Sequence, residues 1–377
     1  MYKNHERALE ALARRGRRRA LTAISGIDFA SNDYLGLASS RELHDAARSA
    51  IDRNAPIGSG GSRLLRGNHR EHEALEAEAV GFFGSESALF FGGGFIANLA
   101  LFSTLPQRGD LVVHDALIHA SVLDGLRMGK AERAGDRHND PQAFDDAIAD
   151  WRAAGGTGTP WIAVESLYSM DGDRAPLDEL LAVARRHDGV LVIDEAHATG
   201  VHGPMGRGLG AHLEGQADVI ALHTCGKALG SMGALITGPQ VLCDFLINRS
   251  RPFIYATAPS PLITAVVRAS LLICRFDNAR RQRLASLVAF AGRQLAESCG
   301  LEASGSQIQP VVVGADERAT RLAAAMQHRG FDIRAVRPPT VPEGTARLRL
   351  SLTLNVDEEQ VASMVTALAE ELKRLET

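Results

Sequence analysis

Short apolar runs alternate with amphipathic stretches through most of the first 270 residues of this 377-residue chain. The apolar runs are rich in branched and aromatic side chains and end in polar residues or glycine, which predicts buried strands. They are ALFF (88–91), DLVVHD (110–115), WIAVES (161–166), VLVIDEA (190–196), DVIALH (218–223) and ALITG (234–238). Helical patterns such as DELLAVARRH lie between several of them. This alternation is typical of a mostly parallel sheet covered by helices on both faces, so we predict an α/β fold.

The pattern changes after about residue 270. A long helical stretch (271–300) precedes strand IQPVVVG, helix ERATRLAAAMQHRG, strands FDIRAV and ARLRLSL, and helix DEEQVASMVTALAEELKRL. These elements predict a small α+β domain with its own antiparallel sheet. We therefore divide the chain into an N-terminal arm (1–37), a large α/β domain (38–270) and a smaller C-terminal domain (271–377).

Charge and cysteine content argue against several classes of protein. The formal net charge is −4, so there is no overall basic field for nucleic acid, and we interpret the basic run RRGRRR (14–19) as a solvated helix face. The four cysteines lack the spacing of a zinc site or a disulfide framework. The segment MYKNHERALE has no apolar stretch typical of a signal peptide, and no apolar window is long enough to cross a membrane. We expect a cytoplasmic protein without a metal site.

The segment ALFFGGGFIAN combines a predicted strand, three glycines and a helix that begins near Phe95. Ligands of open α/β sheets bind beyond the carboxyl ends of the strands, and free N–H groups at a helix start suit a phosphate. The same glycines also fit a dinucleotide fingerprint, Gly92-x-Gly94-x-x-Ala97, with Asp115 as the ribose-binding acid. A plain tight turn is a third interpretation, and this segment alone does not separate the three.

Two further polar residues follow predicted strands. The run VLVIDEAHATG brings Asp194 to the end of a very apolar strand, where it either caps the next segment or meets a cationic partner. The segment LHTCGKALGSMG places Lys227 among glycines, which would leave room beside the amine. A phosphate loop, a strand-ending Asp and then a Lys are the order typical of a pyridoxal 5′-phosphate enzyme. In such an enzyme the Lys forms a Schiff base and the Asp pairs with the pyridine nitrogen.

Seven motifs, in order, resemble those of the α-oxoamine synthases, pyridoxal-phosphate enzymes with the aspartate aminotransferase fold. They are SNDYLGL (31–37), GSGGSR (58–63), GGGFIAN (92–98), HASVLDG (119–125), ESLYSMDGD (165–173), DEAHATG (194–200) and TCGKALGSMG (224–233). The match covers nearly the whole chain and disfavours the dinucleotide interpretation. Ala198 stands where the family commonly has Gly.

The resemblance implies a role for each matching position. Lys227 would carry the cofactor and later act as a base, Asp194 would keep the pyridine nitrogen protonated, and His119 would stack on the ring and meet the substrate. The other cofactor contacts would come from Gly94, Phe95, Ser169, His197 and Thr224. The substrate contacts would come from Arg19, Asn32, His119, Thr340 and Arg349, although Arg17 or Arg18 can replace Arg19 by a shift of register.

The segment RPPTVPEGTARLRLSL (337–352) resembles the branch of the family that works in biotin synthesis. That branch condenses L-alanine with a pimeloyl thioester, carried by coenzyme A or by an acyl carrier protein, and releases carbon dioxide. A glycine-using member of the family is the alternative, and a non-enzymatic ligand sensor is a more remote one. The resemblance also implies a homodimer, since GSGGSR segments reach the neighbouring subunit's site in relatives.

Overall fold

A computed structural model describes residues 1–21 and 23–376 of the chain. The strands are β1 (Ile27–Asp28), β2 (Ser87–Phe91), β3 (Leu111–Asp115), β4 (Glu132–Asp136), β5 (Pro160–Glu165), β6 (Val190–Asp194), β7 (Val219–Thr224), β8 (Ala234–Gly238), β9 (Ile308–Gly314), β10 (Phe331–Asp332), β11 (Arg334–Val336) and β12 (Ala346–Ser351). The helices are α1 (Lys3–Arg14), α2 (Arg41–Asp52), α3 (Arg70–Phe83), α4 (Gly94–Thr104), α5 (Ala120–Met128), α6 (Pro141–Ala153), α7 (Leu177–Arg186), α8 (Gln240–Arg249), α9 (Arg251–Ile254), α10 (Pro261–Phe276), α11 (Asn278–Cys299), α12 (Asp316–His328) and α13 (Glu358–Glu376).

The larger of two compact units comprises residues 35–169 and 174–281. Its seven-stranded sheet has the order β2-β8-β7-β6-β5-β3-β4, and the strands from β3 to β7 are parallel. Alternate residues of the strands enter two separate apolar cores, Val192 on one face and Ile193 on the other. Burial of both faces explains why these strands are continuous apolar runs. The predicted α/β fold class is confirmed.

Strand β4 is missing from the sequence-based prediction. It pairs with β3 at the edge of the sheet, and all five of its residues, ERAGD, are exposed or half-buried. An edge strand of this kind needs no apolar run, so hydrophobic periodicity does not reveal it.

The smaller unit comprises residues 1–34, 170–173 and 282–377. It has an antiparallel sheet of order β11-β12-β9 and a short parallel pair, β1 with β10. Its core joins apolar side chains of α12, β12 and α13, including Leu322, Leu348 and Leu368. The predicted strand FDIRAV is interrupted at Ile333, so it forms the two short strands β10 and β11.

The observed division of the chain differs from our sequence-based boundaries. The first 34 residues group with the C-terminal part, because Ile27 pairs with Phe331 and Arg17 forms an ion pair with Asp316. The second boundary lies after residue 281 instead of 270, because α10 packs on α2 and α3 of the larger unit.

Two local predictions near these boundaries are corrected. The long helical pattern is two helices, broken at Asp277, whose side chain accepts a hydrogen bond from the backbone N–H of Arg280 at 2.9 Å. The basic run at 14–19 is not a helix face, because α1 ends at Arg14 and Gly16 has a φ of +63°.

Among the described residues, the structure has no helix with the length and apolar character needed to cross a membrane.

Candidate active site

A cavity in the larger unit lies at the carboxyl ends of β5, β6 and β7. Its lining includes Gly94, Phe95, His119, Asp194, His197, Thr224 and Lys227, all of which the sequence analysis assigned to the cofactor. We call it the strand-end cavity. Ser169, the remaining predicted cofactor residue, is connected to it by its backbone N–H, which donates to Glu165 Oε2 at 3.1 Å.

The start of α4 forms one wall of the strand-end cavity. The helix begins at Gly94, and no side chain of the described residues caps its first turn. Its first N–H groups therefore remain available to an anion. A side chain at Gly94 is excluded because a Cβ there would lie 2.6 Å from Thr224 Cγ2. Thr224 is itself oriented by its hydroxyl, which donates to the backbone oxygen of Ala196 at 3.2 Å.

Asp194 is buried at the end of β6, with both carboxylate oxygens hydrogen-bonded. Oδ2 accepts from Asn98 Nδ2 at 2.7 Å, and Oδ1 accepts from the backbone N–H of Ala196 at 2.9 Å. The second contact is a hydrogen bond to a nearby backbone N–H, which is close to the capping role that the sequence analysis considered for Asp194. No α-helix begins directly after Asp194, so the contact is not a helix cap. These neutral donors fix the carboxylate and leave it able to pair with a cation in the cavity.

Lys227 lies in the loop between β7 and β8, and its Nζ is 3.0 Å from His197 Nε2. Among the glycines of this loop, Gly226 leaves open space beside the lysine, since a Cβ there would meet only Ser231 O at 3.8 Å, whereas Gly230 and Gly233 are required by packing against protein atoms. A Cβ on Gly230 would lie 2.5 Å from Ala38 N, and one on Gly233 would lie 2.4 Å from Phe90 Cζ. Both glycines also have positive φ angles, so they set the path of the loop that carries the lysine.

His119 precedes α5 and has a defined tautomer when neutral. Its Nδ1 accepts the backbone N–H of Ser121 at 3.2 Å and lies 2.7 Å from Ser121 Oγ. Since a backbone N–H can only donate, Nδ1 carries no proton, and the ring proton is on Nε2. Although the residue retains accessible surface, partial burial of the ring lowers the pKa of His119, which Asp194 opposes and Lys227 reinforces.

Ser121 and Asn98 join His119 to Asp194, and the sequence analysis did not identify either as a site residue. Asn98 Nδ2 donates to Ser121 Oγ at 3.0 Å as well as to Asp194. The hydroxyl proton of Ser121 can then point to His119 Nδ1. One chain of hydrogen bonds thus orients both the histidine and the aspartate.

Glu165 is a third cavity residue that the sequence analysis missed. It ends β5 and is 2% exposed. Burial, reinforced by the charge of Asp194 and opposed by Lys227, raises the pKa of Glu165 to about 8. The signal was present in the sequence, because the apolar run WIAV is followed directly by an acidic residue, just as the run VLVI is followed by Asp194.

Two of the predicted substrate residues are connected to each other in the smaller unit. Arg349 of β12 is buried, and it donates to Ser351 Oγ at 2.7 Å and to Tyr34 Oη at 3.1 Å. Tyr34 Oη in turn donates to Asn32 Oδ1 at 3.0 Å. Tyr34 is therefore a bridge between the two predicted positions, and its contacts depend on tertiary structure that periodicity does not report.

Arg19 and Thr340, which were also predicted as substrate residues, line a cavity of about 220 Å³ in the smaller unit. We call it the arginine cavity, because Arg17 and Arg337 line it as well. Arg17 forms ion pairs with Asp316 and Glu343, and Arg337 donates a hydrogen bond to the backbone oxygen of Gly16. Among the described residues the Arg19 guanidinium has no such partner, which favours Arg19 over Arg17 as a ligand for an anion.

Two other features are not suited to the predicted chemistry. A larger cavity of about 380 Å³ is mostly apolar, and its one charged residue, Arg63, is paired with Glu76. Asp115, the acid of the dinucleotide interpretation, is buried and accepts hydrogen bonds from the backbone N–H groups of Leu117 and Asn139. Its carboxylate is thus engaged within the protein.

The chain is similar to known proteins along most of its length. The model of the family "Aminotransferase class I and II" matches residues 24–368. The chain is 44% identical to an 8-amino-7-oxononanoate synthase of Chromobacterium violaceum, over 90% of this chain and 88% of the relative. It is similar to a serine palmitoyltransferase from S. paucimobilis with a bound PLP–myriocin aldimine (TM-score 0.90, 26% identity, 100% and 98% coverage). It is also similar to an 8-amino-7-oxononanoate synthase from Francisella tularensis (TM-score 0.77, 28% identity, 94% and 99% coverage).

Proposed function

Because this chain belongs to the class I and II aminotransferase family and groups there with the 8-amino-7-oxononanoate synthases, we propose that it joins L-alanine to a pimeloyl thioester. It is a pyridoxal-phosphate-dependent acyltransferase of biotin synthesis. The proposed products are 8-amino-7-oxononanoate, carbon dioxide and the free thiol. We also propose that the chain works as a homodimer in the cytoplasm and that coenzyme A or an acyl carrier protein carries the pimeloyl group.

The residues of the strand-end cavity fit pyridoxal phosphate by their chemistry. The uncapped start of α4 suits the phosphate, Asp194 suits a protonated ring nitrogen, and Lys227 supplies a primary amine for the aldehyde. When bound, the cofactor supplies an electron sink for a carbanion at the amino-acid Cα. The coexistence of these three groups in one cavity is the observation that carries the proposal.

Lys227 is the proposed base as well as the proposed anchor. Its Nζ would take the proton from Cα of alanine, and His197 Nε2, 3.0 Å from Nζ, would orient the amine. His119 presents an Nε2–H bond, so we assign it a donor role toward a substrate oxygen, such as the thioester carbonyl where negative charge develops.

Arg349 is the proposed ligand of the alanine carboxylate. A guanidinium group can hold a carboxylate with two parallel hydrogen bonds, and Ser351 and Tyr34 fix its orientation beforehand. Asn32 is positioned by the same tyrosine hydroxyl and is proposed to contact the substrate there. Arg19 and Thr340 are proposed to contact the acyl substrate or the product, since the arginine cavity offers a carboxylate the Arg19 guanidinium, which has no ion-pair partner in the part of the chain that the structure describes.

The proposal is tested with purified protein loaded with pyridoxal phosphate. Borohydride reduction followed by peptide mass analysis should place the cofactor on Lys227, and pimeloyl-CoA with L-alanine should yield 8-amino-7-oxononanoate. Modification of a different lysine would contradict the assignment of the anchor. Turnover with glycine in place of alanine would identify a glycine-using synthase instead.

A further inference from the structure

Glu165 and Asp194 occupy equivalent positions on neighbouring strands. Glu165 ends β5, Asp194 ends β6, and the two are register partners in the parallel sheet. In-register residues of adjacent strands direct their side chains to the same face of the sheet. Both carboxyl groups consequently line the strand-end cavity.

The two oxygens of Glu165 have different surroundings. Oε2 accepts the backbone N–H of Ser169 at 3.1 Å. Oε1 is buried, and no hydrogen-bond partner for it exists among the described residues. A buried polar atom of this kind is costly unless something else satisfies it. Since Glu165 lines the cavity, a ligand in the cavity is the natural partner for Oε1.

Burial and the neighbouring charges together decide whether Glu165 accepts or donates a hydrogen bond. Asp194 and Asp115 disfavour a negative charge on Glu165, whereas Lys227 favours it. The other titratable side chains that line the cavity are His119 and His197. Burial is the largest influence, and together they raise the pKa of Glu165 to about 8. At neutral pH the group is therefore mostly an uncharged carboxylic acid, which has one O–H bond to donate.

Glu195 shows what a buried carboxyl group looks like when protein atoms satisfy it. Its Oε1 accepts the N–H of Gly210 at 2.5 Å, and its Oε2 accepts Ser166 Oγ at 2.6 Å and the N–H of Leu209 at 3.1 Å. Glu195 is not among the residues that line the strand-end cavity. Of these two buried carboxyl groups, only the one that lines the cavity has an oxygen without a hydrogen-bond partner among the described residues.

We propose that Glu165 is a further hydrogen-bond donor of this site and that its Oε1 contacts an anionic oxygen of the bound cofactor or substrate. The inference rests on the proposed function only in that it requires pyridoxal phosphate and an amino acid to occupy the strand-end cavity. The cofactor ring offers a phenolic oxygen and the amino acid offers a carboxylate, and both are acceptors for an O–H group.

The test is infrared difference spectroscopy of the whole protein at neutral pH, because a protonated carboxyl group has its own C=O stretching band. Pyridoxal phosphate is added first and L-alanine second. A band that shifts on addition of the cofactor identifies the ring oxygen as the acceptor, and a band that shifts only with alanine identifies the substrate carboxylate. The responding band should be absent from Glu165→Gln, which keeps the size of the side chain and a group able to accept from Ser169.

Two variants keep the test decisive. Glu195→Gln is the matched control, and its ligand response should equal that of the unmodified protein. If Glu165→Gln does not fold, Glu165→Asp retains a carboxyl group one methylene further from the ligand, so its band should remain while its response is reduced.

The possible failures can be told apart by the visible absorbance of the Schiff base, recorded on the same samples. Schiff-base absorbance without a responding carboxyl band, or with the same band in Glu165→Gln, would overturn this inference alone. Absence of Schiff-base absorbance would overturn the proposed function and this inference with it.

Discussion

The strand-end cavity and the arginine cavity are built in different ways. In the first, short side chains at the ends of buried strands are fixed by hydrogen bonds, as Asp194 is by Asn98 and Ala196. In the second, long side chains come from irregular segments, and Arg19 is exposed. Charges act strongly where water is excluded and weakly where it is present. The first cavity is therefore suited to altering the reactivity of a ligand, and the second to recognising one.

Among substitutions in the two cavities, removal of the Lys227 side chain should lower turnover the most. Lys227→Ala removes both the anchor and the base, so turnover should fall by at least about 10⁴-fold. Steady-state formation of the amino ketone measures this, with Lys130→Ala, an exposed lysine, as the control. Turnover within tenfold of the unmodified protein would show that the strand-end cavity is not the reaction site.

Asp194→Asn should have the next largest effect. The amide keeps the size of the side chain but loses the negative charge that favours a protonated ring nitrogen, so kcat should fall roughly 10²–10³-fold. Measurement of kcat together with the visible spectrum separates loss of chemistry from loss of the cofactor. An unchanged kcat in a fully loaded variant would exclude the proposed pairing with the ring nitrogen.

Arg349→Lys tests a predicted substrate contact that is buried although it belongs to the smaller unit. A lysine cannot make two parallel hydrogen bonds to a carboxylate, so KM for alanine should rise about 10–100-fold with a smaller change in kcat. The control is Arg347→Lys on the same strand, whose guanidinium forms an ion pair with Asp171. Equal KM values for the two variants would argue against Arg349 as the carboxylate ligand.

Glu165→Gln should change the pH dependence of stability in the cofactor-free protein. The folded protein keeps the Glu165 proton up to a pKa of about 8, whereas the unfolded chain loses it near the ordinary glutamate pKa of 4.5. The folded state thus binds more protons between these values, and stability contributed by this group falls as pH rises through that window. Thermal unfolding of Glu165→Gln should lack this loss. A parallel decline in both proteins would contradict the shifted pKa.

The smallest effect on activity is expected from Arg19, the exposed residue of the arginine cavity. Arg19→Ala removes a solvent-screened contact, so kcat/KM for the acyl substrate should fall less than about tenfold, and the difference should shrink at high salt. Steady-state assays at two salt concentrations test both points. A loss as large as that of Asp194→Asn would show that the arginine cavity excludes water during the reaction.

The two cavities also differ in how far the sequence predicts them. Asp194 and Lys227 follow recognisable apolar strands, so hydrophobic periodicity and motif order suffice to find them. Thr340 and Arg349 were assigned only by resemblance to a family, because no local pattern separates a ligand-binding arginine from one in an ion pair such as Arg347. The site roles themselves remain predictions that the variants above would test.

Contacts between segments that are far apart in the chain could not be predicted from the sequence. Asn98 and Asp194 are 96 residues apart, and Tyr34 and Arg349 are 315 apart, so neither pair has a local signature.

One departure from the family pattern, at position 198, is explained by backbone geometry. Ala198 is not among the non-glycine residues with positive φ, so replacing the usual glycine there causes no backbone strain.

The close approach of α4 to Thr224 limits the order in which this protein can change over evolution. Gly94 cannot acquire a side chain while the Thr224 methyl lies 2.6 Å from the position of the new Cβ. That methyl cannot rotate away without breaking the hydroxyl bond to Ala196. A lineage that reaches alanine at position 94 must first pass through a residue such as serine at 224, which keeps the hydroxyl and lacks the methyl. The reverse order leads through a protein with a steric clash at the start of α4, so only one of the two mutational paths is open to selection.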